Sequence, residues 1–397
     1  MPAITGIRSN KMVCQARLDK ESVDLLLAIT QRPADGNPDR LDELARQVRD
    51  WDSLFIVARQ HSVLPFVFAR LTEIGAAIPP EAKEHLKSEY DRNVFHSLAN
   101  ASELITVLKA FDLEKIPAMP FKGIVLGASI YHDFTVRHAG DLDVLIYYRD
   151  LLRATAILFK MGYELKTPVR PDGTPLGTAP YEFHFERKSD GMVLELRWRL
   201  ELTEPRYRRD PGMDWVWPRR RTVNLAGAEV PNMDPETTLL VLCMHGSKHV
   251  WSRLIWICDV ARLLTEFPGL DWRRVTREAR RLGLWRSLAL GVLLAHRVCL
   301  AEVPPAIMRR FQSDASARGL AQHFEQNLLD EPGRMPESRV PYNVRLLGFH
   351  DRLRLFLSPE FFRPNARDLA FVHLPKSLHV LYFLVRPLRI IRDKSAR

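Results

Sequence analysis

The chain is poor in cysteine: among 397 residues there are four, Cys14, Cys243, Cys258 and Cys299, and no Cys-x-x-Cys pair. Their scatter offers no paired-thiol motif, and three of them lie inside apolar stretches, where a free thiol behaves as a small buried hydrophobe. Also missing is any apolar run approaching the roughly 20 residues that span a bilayer. The first residues lack a long apolar segment followed by a small-residue cleavage site, so no secretory signal is expected. A cytoplasmic, reduced protein without a stable membrane span is the expectation. No internal repeat or low-complexity tract is visible, and disorder is expected only towards the two ends.

What is present is a globular composition, 46% hydrophobic and 27% charged. The length exceeds what one core usually serves, so two or three domains are expected. The net charge of +10, from 58 basic against 48 acidic residues, favours polyanionic partners without choosing among nucleotides, nucleic acid and an anionic surface.

Residues 1–114 read as a helical region. Glu21 to Gln31 and Trp51 to Leu71 carry helical apolar patterning, the second interrupted by Pro65. After Pro79-Pro80, the positions Leu86, Tyr90, Val94, Leu98, Leu104 and Leu108 recur at three- and four-residue spacings, predicting a long helix with one buried face. From Ile116 short apolar runs alternate with helical pieces, which predicts an α/β core over 115–233. Strands are expected at 116–120, 141–147, 163–167, 181–187 and 192–200, with helices at 123–132 and 149–161. The Arg-, Pro- and Trp-rich stretch from Glu201 to Pro235 reads as a loop or connector. Asp234-Pro235-Glu236 then supplies an N-cap, a first-turn proline and an early acid, opening a helical domain over 234–330. A basic and apolar extension covers 331–397. The fold class expected is α+β, a mixed-sheet core flanked by N- and C-terminal helical regions.

The strongest chemical signal is Asp141-Leu142-Asp143-Val144-Leu145-Ile146. In a strand, the i, i+2 spacing puts both carboxylates on one face and Leu142 and Val144 on the other. Two adjacent carboxylates repel unless a cation neutralises them, and Mg²⁺ (or Mn²⁺) is the natural choice because it shares its shell with phosphate oxygens. Lys122-Gly123 follows a short strand and opens a helix, where backbone N–H groups can hold a phosphate. Arg137 is placed to clamp another phosphate oxygen. An in-line phosphoryl displacement across two metals calls for a third carboxylate. Glu195, alternating with Val193 and Arg197 against Leu194, Leu196 and Trp198, is the leading candidate, with Glu182, Glu186 and Asp190 as competitors.

With these residues in view, the run IPAMPFKGIVLGASIYHDFTVRHAGDLDVLIYYRDLLRATAILFKMGYEL resembles the uncharacterised nucleotidyltransferase family of the DNA polymerase beta-like superfamily. In that family a Lys-Gly after a strand, a Tyr closing the helix, an Arg and an Asp-x-Asp strand follow in order. The matching positions are Lys122, Gly123, Tyr131, Arg137, Asp141 and Asp143. LELRWRL resembles the family's third acidic strand, with Arg197 where histidine is common. The resemblance covers roughly residues 50 to 300. It implies a polymerase beta-like fold, an NTP bound with Mg²⁺, and nucleotidyl transfer. It leaves the acceptor open, since members of the superfamily modify antibiotics, nucleic acids, proteins and peptides.

The resemblance continues through Cys243 to Leu254, Trp256 and Asp259. If one helix runs over 236–264, then His245, Lys248, His249, Ser252, Trp256 and Asp259 fall within an arc of about 100°. This polar stripe would face the nucleotide cleft. The competing readings are hydrogen-bonded structural histidines, a His245–His249 metal pair, a helix break at Gly246, and an Asp259 that pairs with Arg262 or Lys248. Arginine clusters at Arg206, Arg208, Arg209 and Arg219–Arg221, and at Arg273, Arg274, Arg277, Arg280 and Arg281, would suit an RNA acceptor or a solvated face. The expected activity is Mg²⁺-dependent transfer of an NMP group from an NTP to a small molecule, peptide, protein or RNA. Its rivals are a glycosyltransferase using Asp-x-Asp for a sugar nucleotide, and a non-catalytic nucleotide-binding or scaffold protein.

Overall fold

A computed structural model describes residues 18–31, 38–169, 181–200, 212–329 and 339–348, and isolated positions or short stretches between 352 and 392. The N-terminal region is helical: α1 (Lys20–Thr30), α2 (Pro38–Gln47), α3 (Trp51–Gln60), α4 (Leu64–Glu73) and the long α5 (Pro80–Leu113). Asp19 and Asp50 cap α1 and α3 by accepting from the backbone N–H of Ser22 and Ser53. Pro65 sits in the first turn of α4, where a missing N–H costs nothing.

The core follows as β1 (Ala118–Pro120), α6 (Gly123–Leu126) running on into a π-helical turn (Gly127–Tyr131), β2 (Leu142–Ile146), α7 (Leu151–Lys160), β3 (Tyr163–Leu165), β4 (Glu182–Arg187) and β5 (Val193–Arg197). The five strands form one mixed sheet in the order β1-β2-β5-β4-β3, with β2 and β5 parallel and every other pair antiparallel. Leu142, Val144, Ile146, Leu194 and Leu196 bury one face against Leu104, Val107 and Phe111 of α5 and Ala154 and Leu158 of α7. The opposite face carries the alternating polar positions.

Residues 212–232, read from the sequence as connector, contain regular structure: α8 (Gly212–Val216) and a hairpin of β6 (Arg221–Leu225) and β7 (Ala228–Asn232). Ala226 and Gly227 both have positive φ, as a tight two-residue hairpin turn requires. Leu225 and Val230 are buried and Val223 packs against the same cluster, an alternation hidden among arginines and prolines.

The C-terminal part of the chain is helical: α9 (Pro235–Lys248), α10 (Leu254–Glu266), α11 (Trp272–Leu282), α12 (Trp285–Cys299), α13 (Pro305–Gln312) and α14 (Ala315–Asn327), followed by α15 (Arg339–Leu346) in the extension. Their apolar faces share one buried cluster with α1–α4, so the two helical regions flank the sheet as a joint body. Cys243, Cys258 and Cys299 are buried free thiols within it. Among the described residues, no helix is long and apolar enough to cross a membrane.

The single helix expected over 236–264 is broken. Val250 and Trp251 adopt left-handed backbone (φ 52° and 50°) and separate α9 from α10. Gly246 does not cause the break: it lies within α9, and its missing Cβ makes room for the Trp251 ring, which such an atom would approach to 2.5 Å. Trp251 folds back under α9, its N–H donating to the Gly246 carbonyl at 2.8 Å. The expected pattern on α5 also shifts. Leu98 is exposed, whereas Asn93, Ser97 and Asn100 are buried, because the middle of this helix meets a polar loop rather than the core.

Candidate active site

β2 and β5 run in parallel with Asp143 directly opposite Glu195. The register therefore sets these two carboxylates side by side on the open face, and Asp141 lies one residue before β2. Burial, followed by the negative charge of Asp143 and Glu195, pushes the Asp141 carboxyl up to about 6. The three acids share a wall of a cleft of about 710 Å³.

Arg197, two residues after Glu195 on the same face, is nearly inaccessible to solvent. Its Nε donates to Asp143 Oδ1 at 3.0 Å, its Nη1 pairs with Glu182 Oε2 at 2.6 Å, and its Nη2 bonds Glu195. One guanidinium thus bridges two of the three predicted acids and a fourth carboxylate. Of the other competitors, Glu186 and Asp190 point to Lys166 and Arg187 at the far edge of the sheet. Among the described residues, no group of His, Cys, Asp or Glu side chains is already gathered tightly enough to hold a metal. The donor set itself fits a hard cation: carboxylate oxygens on neighbouring strands, carrying more negative charge than Arg197 offsets, with one acid already pushed towards protonation.

Facing the acids is the turn from β1 into α6. Lys122 (φ 61°) and Gly123 (φ 45°) both have left-handed backbone, which favours glycine at the second position. A Cβ on Gly123 would stand 3.5 Å from that of Ala139 and 3.6 Å from the Asp141 carbonyl, so this turn packs close to the chain entering β2. The Lys122 ammonium lies 5.0 Å from the Phe121 ring centroid, at the cleft.

The loop between the π turn and β2 is held from two sides. From α5, Asn93 donates to the Thr135 carbonyl and Asn100 to the Ala139 carbonyl at 3.0 Å, while Asn93 Oδ1 meets His138 Nδ1 at 3.0 Å. From α10, the fully buried Asp259 accepts from Arg137 Nε and Nη2, at 3.1 and 2.9 Å, and from the Tyr131 hydroxyl at 3.0 Å. Asp259 therefore pairs across the cleft wall with Arg137, not with Arg262 or Lys248 as the sequence suggested. Arg137 Nη1 also donates to the Gly123 carbonyl at 3.2 Å. Its guanidinium is committed to tying the turn, the loop and α10 together. Sequence reasoning missed Asn93 and Asn100; two asparagines seven residues apart, hence on one face of a long helix, were the available signal.

The end of α9 closes the opposite wall. The His245 and His249 rings pack against one another at a tilt of 54° with centroids 4.6 Å apart, and each lies 5.3 Å from Trp256 at the start of α10. Lys122, Gly123, Arg137, Asp141, Asp143, Glu195, His245, Lys248 and His249, all singled out from the sequence, line this one cleft together with Ser62 and Arg253. The arginines of α11 and Arg219–Arg221 do not line it. Arg274 pairs with Asp234 and Glu236, and Arg281 with Glu278. Arg206, Arg208, Arg209 and most of the C-terminal extension lie outside the described residues.

A family model described as an uncharacterised nucleotidyltransferase matches residues 47–299, well over half of the chain and including the whole cleft. The chain belongs to this nucleotidyltransferase family. The sheet, the Lys-Gly turn and both helical walls fall within the matched span. A search of curated proteins gives no significant match. A solution structure of the antibiotic-resistance factor ANT(2'')-Ia is similar at 12% identity, covering 58% of this chain and 98% of that one, with a TM-score of 0.28.

Proposed function

We propose that this nucleotidyltransferase moves an NMP group from an NTP to an acceptor hydroxyl or phosphate in the cleft between the sheet and α9, using Mg²⁺ or Mn²⁺. The observation that carries this reading is the parallel register that pairs Asp143 with Glu195 beside Asp141, opposite the Lys122-Gly123 turn. Asp141, Asp143 and Glu195 would hold the divalent cation, which when bound supplies charge neutralisation and polarises the phosphoryl oxygens. Lys122 and the N–H groups opening α6 bind the triphosphate from one side. Lys248 adds a positive charge from the other. The His245, His249 and Trp256 rings, inclined to one another, form an aromatic corner against which the nucleobase packs. In the step itself, the acceptor oxygen bonds to the α-phosphorus as the bond to the bridging oxygen breaks. Pyrophosphate leaves with that electron pair; a hydroxyl acceptor gives its proton to Glu195, whereas a phosphate acceptor attacks through an oxygen that is already deprotonated.

Arg197 supports a second reading. A guanidinium bridging Asp143 and Glu195 occupies the side chains a cation needs, as in a protein that binds nucleotide without turnover. The two readings separate on Asp143→Asn, which keeps shape but removes charge. Pyrophosphate release from NTP should be abolished in this variant while its circular dichroism matches wild type. Wild-type turnover in the variant would end the carboxylate mechanism. NTP binding without turnover in either protein would establish the second reading.

A further inference from the structure

Beside the nucleotide cleft lies a second cavity of about 440 Å³, walled by α3, α4 and α5 of the N-terminal helical region. It opens onto the first: Ser62, His138 and Arg253 line both. Its volume suits a small molecule rather than a polymer. Its charge is one-sided. Arg59, Arg92 and Arg253 stand around it against a single carboxylate, Glu89; His96 also lines it, and His138, whose pKa burial lowers, adds no charge. Glu89 is engaged on both oxygens, by Arg59 at 3.0 Å and by Arg92 at 2.7 Å. One acid thus orients two guanidiniums and leaves the rim with net positive charge. Arg253, on the shared wall, lies 5.6 Å from the Trp256 ring centroid and within 3.5 Å of the Ser62 hydroxyl.

The wall is fixed by backbone. The His61 carbonyl accepts from the Ile255 N–H at 3.3 Å, and its Nδ1 accepts from the Leu254 N–H at 3.0 Å. This locks the α3–α4 corner, which carries Ser62, against the start of α10. The cavity adjoins the cleft through Ser62, His138 and Arg253, apart from the Lys122 and Lys248 side.

We infer that this cavity is the acceptor subsite and takes a small molecule bearing an oxyanion, phosphate or carboxylate, next to the hydroxyl that attacks the α-phosphorus. A guanidinium is a planar fork that binds such groups bidentately, and Arg59 and Arg92, at 58% and 64% side-chain exposure, present theirs at the solvent mouth of the cavity. The inference rests on the nucleotidyl-transfer reading for the attack itself; the anion site stands on its own geometry.

The test titrates four three-carbon compounds into the full chain by calorimetry, with and without a non-hydrolysable NTP: glycerol 3-phosphate, glycerate, glycerol and 3-aminopropane-1,2-diol. The two anions should bind, the neutral and cationic alcohols should not, and comparing the anions separates phosphate from carboxylate. In Arg59→Gln/Arg92→Gln, anion affinity should fall about tenfold or more while NTP affinity is unchanged. Arg92→Lys, which keeps the charge and loses the fork, should fall in between. Equal binding of all four compounds, preference for the amine, or anion binding untouched by the double substitution would overturn the assignment. An anion that the two substitutions release only together with NTP would place it in the nucleotide site and overturn it equally. Loss of NTP binding in wild type would instead strike the nucleotidyl-transfer reading, since the anion titration is also run without nucleotide.

Discussion

Removing the guanidinium of Arg197 should make this protein depend on a divalent cation for stability. Its three contacts hold Asp143, Glu182 and Glu195 on one face of the sheet, and its side chain is about as inaccessible as that of Asp143, at 5% and 8% exposure. In Arg197→Gln these acids face one another and Asp141 with the main local counter-charge gone. Breaking a buried pair by deleting one partner typically costs about 3–5 kcal/mol. Partial access of Glu195 and Glu182, at 20% and 21%, puts the expectation at the lower end, about 3 kcal/mol. Wild type, in which Arg197 competes with the cation, should therefore gain only modestly in melting temperature from chelator to Mg²⁺, whereas the variant should melt well below wild type in chelator and recover much of the gap in Mg²⁺, as linkage requires of a ligand that binds only the folded state.

The same substitution removes a competitor for the carboxylates. At an effective dielectric near 20, two unit charges about 4 Å apart interact by roughly 4 kcal/mol. Even a fraction of that, released on deleting Arg197, would tighten cation binding at least tenfold, about 1.4 kcal/mol. Mn²⁺ titration followed by electron paramagnetic resonance reads the affinity directly, without turnover. A variant as stable as wild type in chelator, or one that binds Mn²⁺ no more tightly, would refute the idea that Arg197 stands in the place of a cation.

Two further outcomes are expected. Lys248→Ala should weaken NTP binding roughly tenfold, the loss of one charge-assisted hydrogen bond of about 1.5 kcal/mol, with little change in melting temperature; normal NTP affinity with much lower stability would make this residue structural. Burial, then the charge of Arg253, depresses His61 from 6.5 to about 4, so the folded chain keeps it neutral: its contribution is fully present above pH 6.5 and is lost as pH falls towards 4, up to about 3 kcal/mol. His61→Asn, which keeps an acceptor for the Leu254 N–H, should flatten this part of the acid limb in urea unfolding at successive pH values, and an unchanged limb would exonerate His61.

The legible parts of this chain were those where local pattern and tertiary role agree. Leu142, Val144, Leu194 and Leu196 alternate with acids because one face of the sheet is core and the other is cleft, and period two reports that directly. The break between α9 and α10 was illegible for the opposite reason. Val250 and Trp251 are poor candidates for left-handed backbone, and they adopt it because the Trp251 ring fills a gap that the nearby Gly246 and the distant Gly291 leave open. The hairpin at 221–232 buries few side chains, and its turn begins on an alanine, so neither apolar alternation nor turn chemistry announced it. Arg197 read as a departure from a motif; only its three partners, which depend on sheet register, show what it does.

The residues that hold the cleft together differ in kind from those that line it. Asp259 is fully buried, and burying an ion pair gains little over an apolar contact of the same shape. What the Arg137–Asp259 pair provides is position. Arg137 grips the Gly123 carbonyl with the remaining arm of the fork that Asp259 holds, so the turn carrying Lys122, the chain entering Asp141 and the start of the second helical domain share one set of hydrogen bonds. Asn93 and Asn100 fix the same loop from α5, and His61 fixes α10 from the α3–α4 corner. Each wall of the cleft is thereby referenced to the others through directional bonds as well as through the apolar cluster they share, which by itself tolerates sliding. For phosphoryl transfer, where most of the catalytic gain comes from holding charges and reacting atoms at fixed separations, that use of buried polar groups makes physical sense even though it adds little to the stability of the fold.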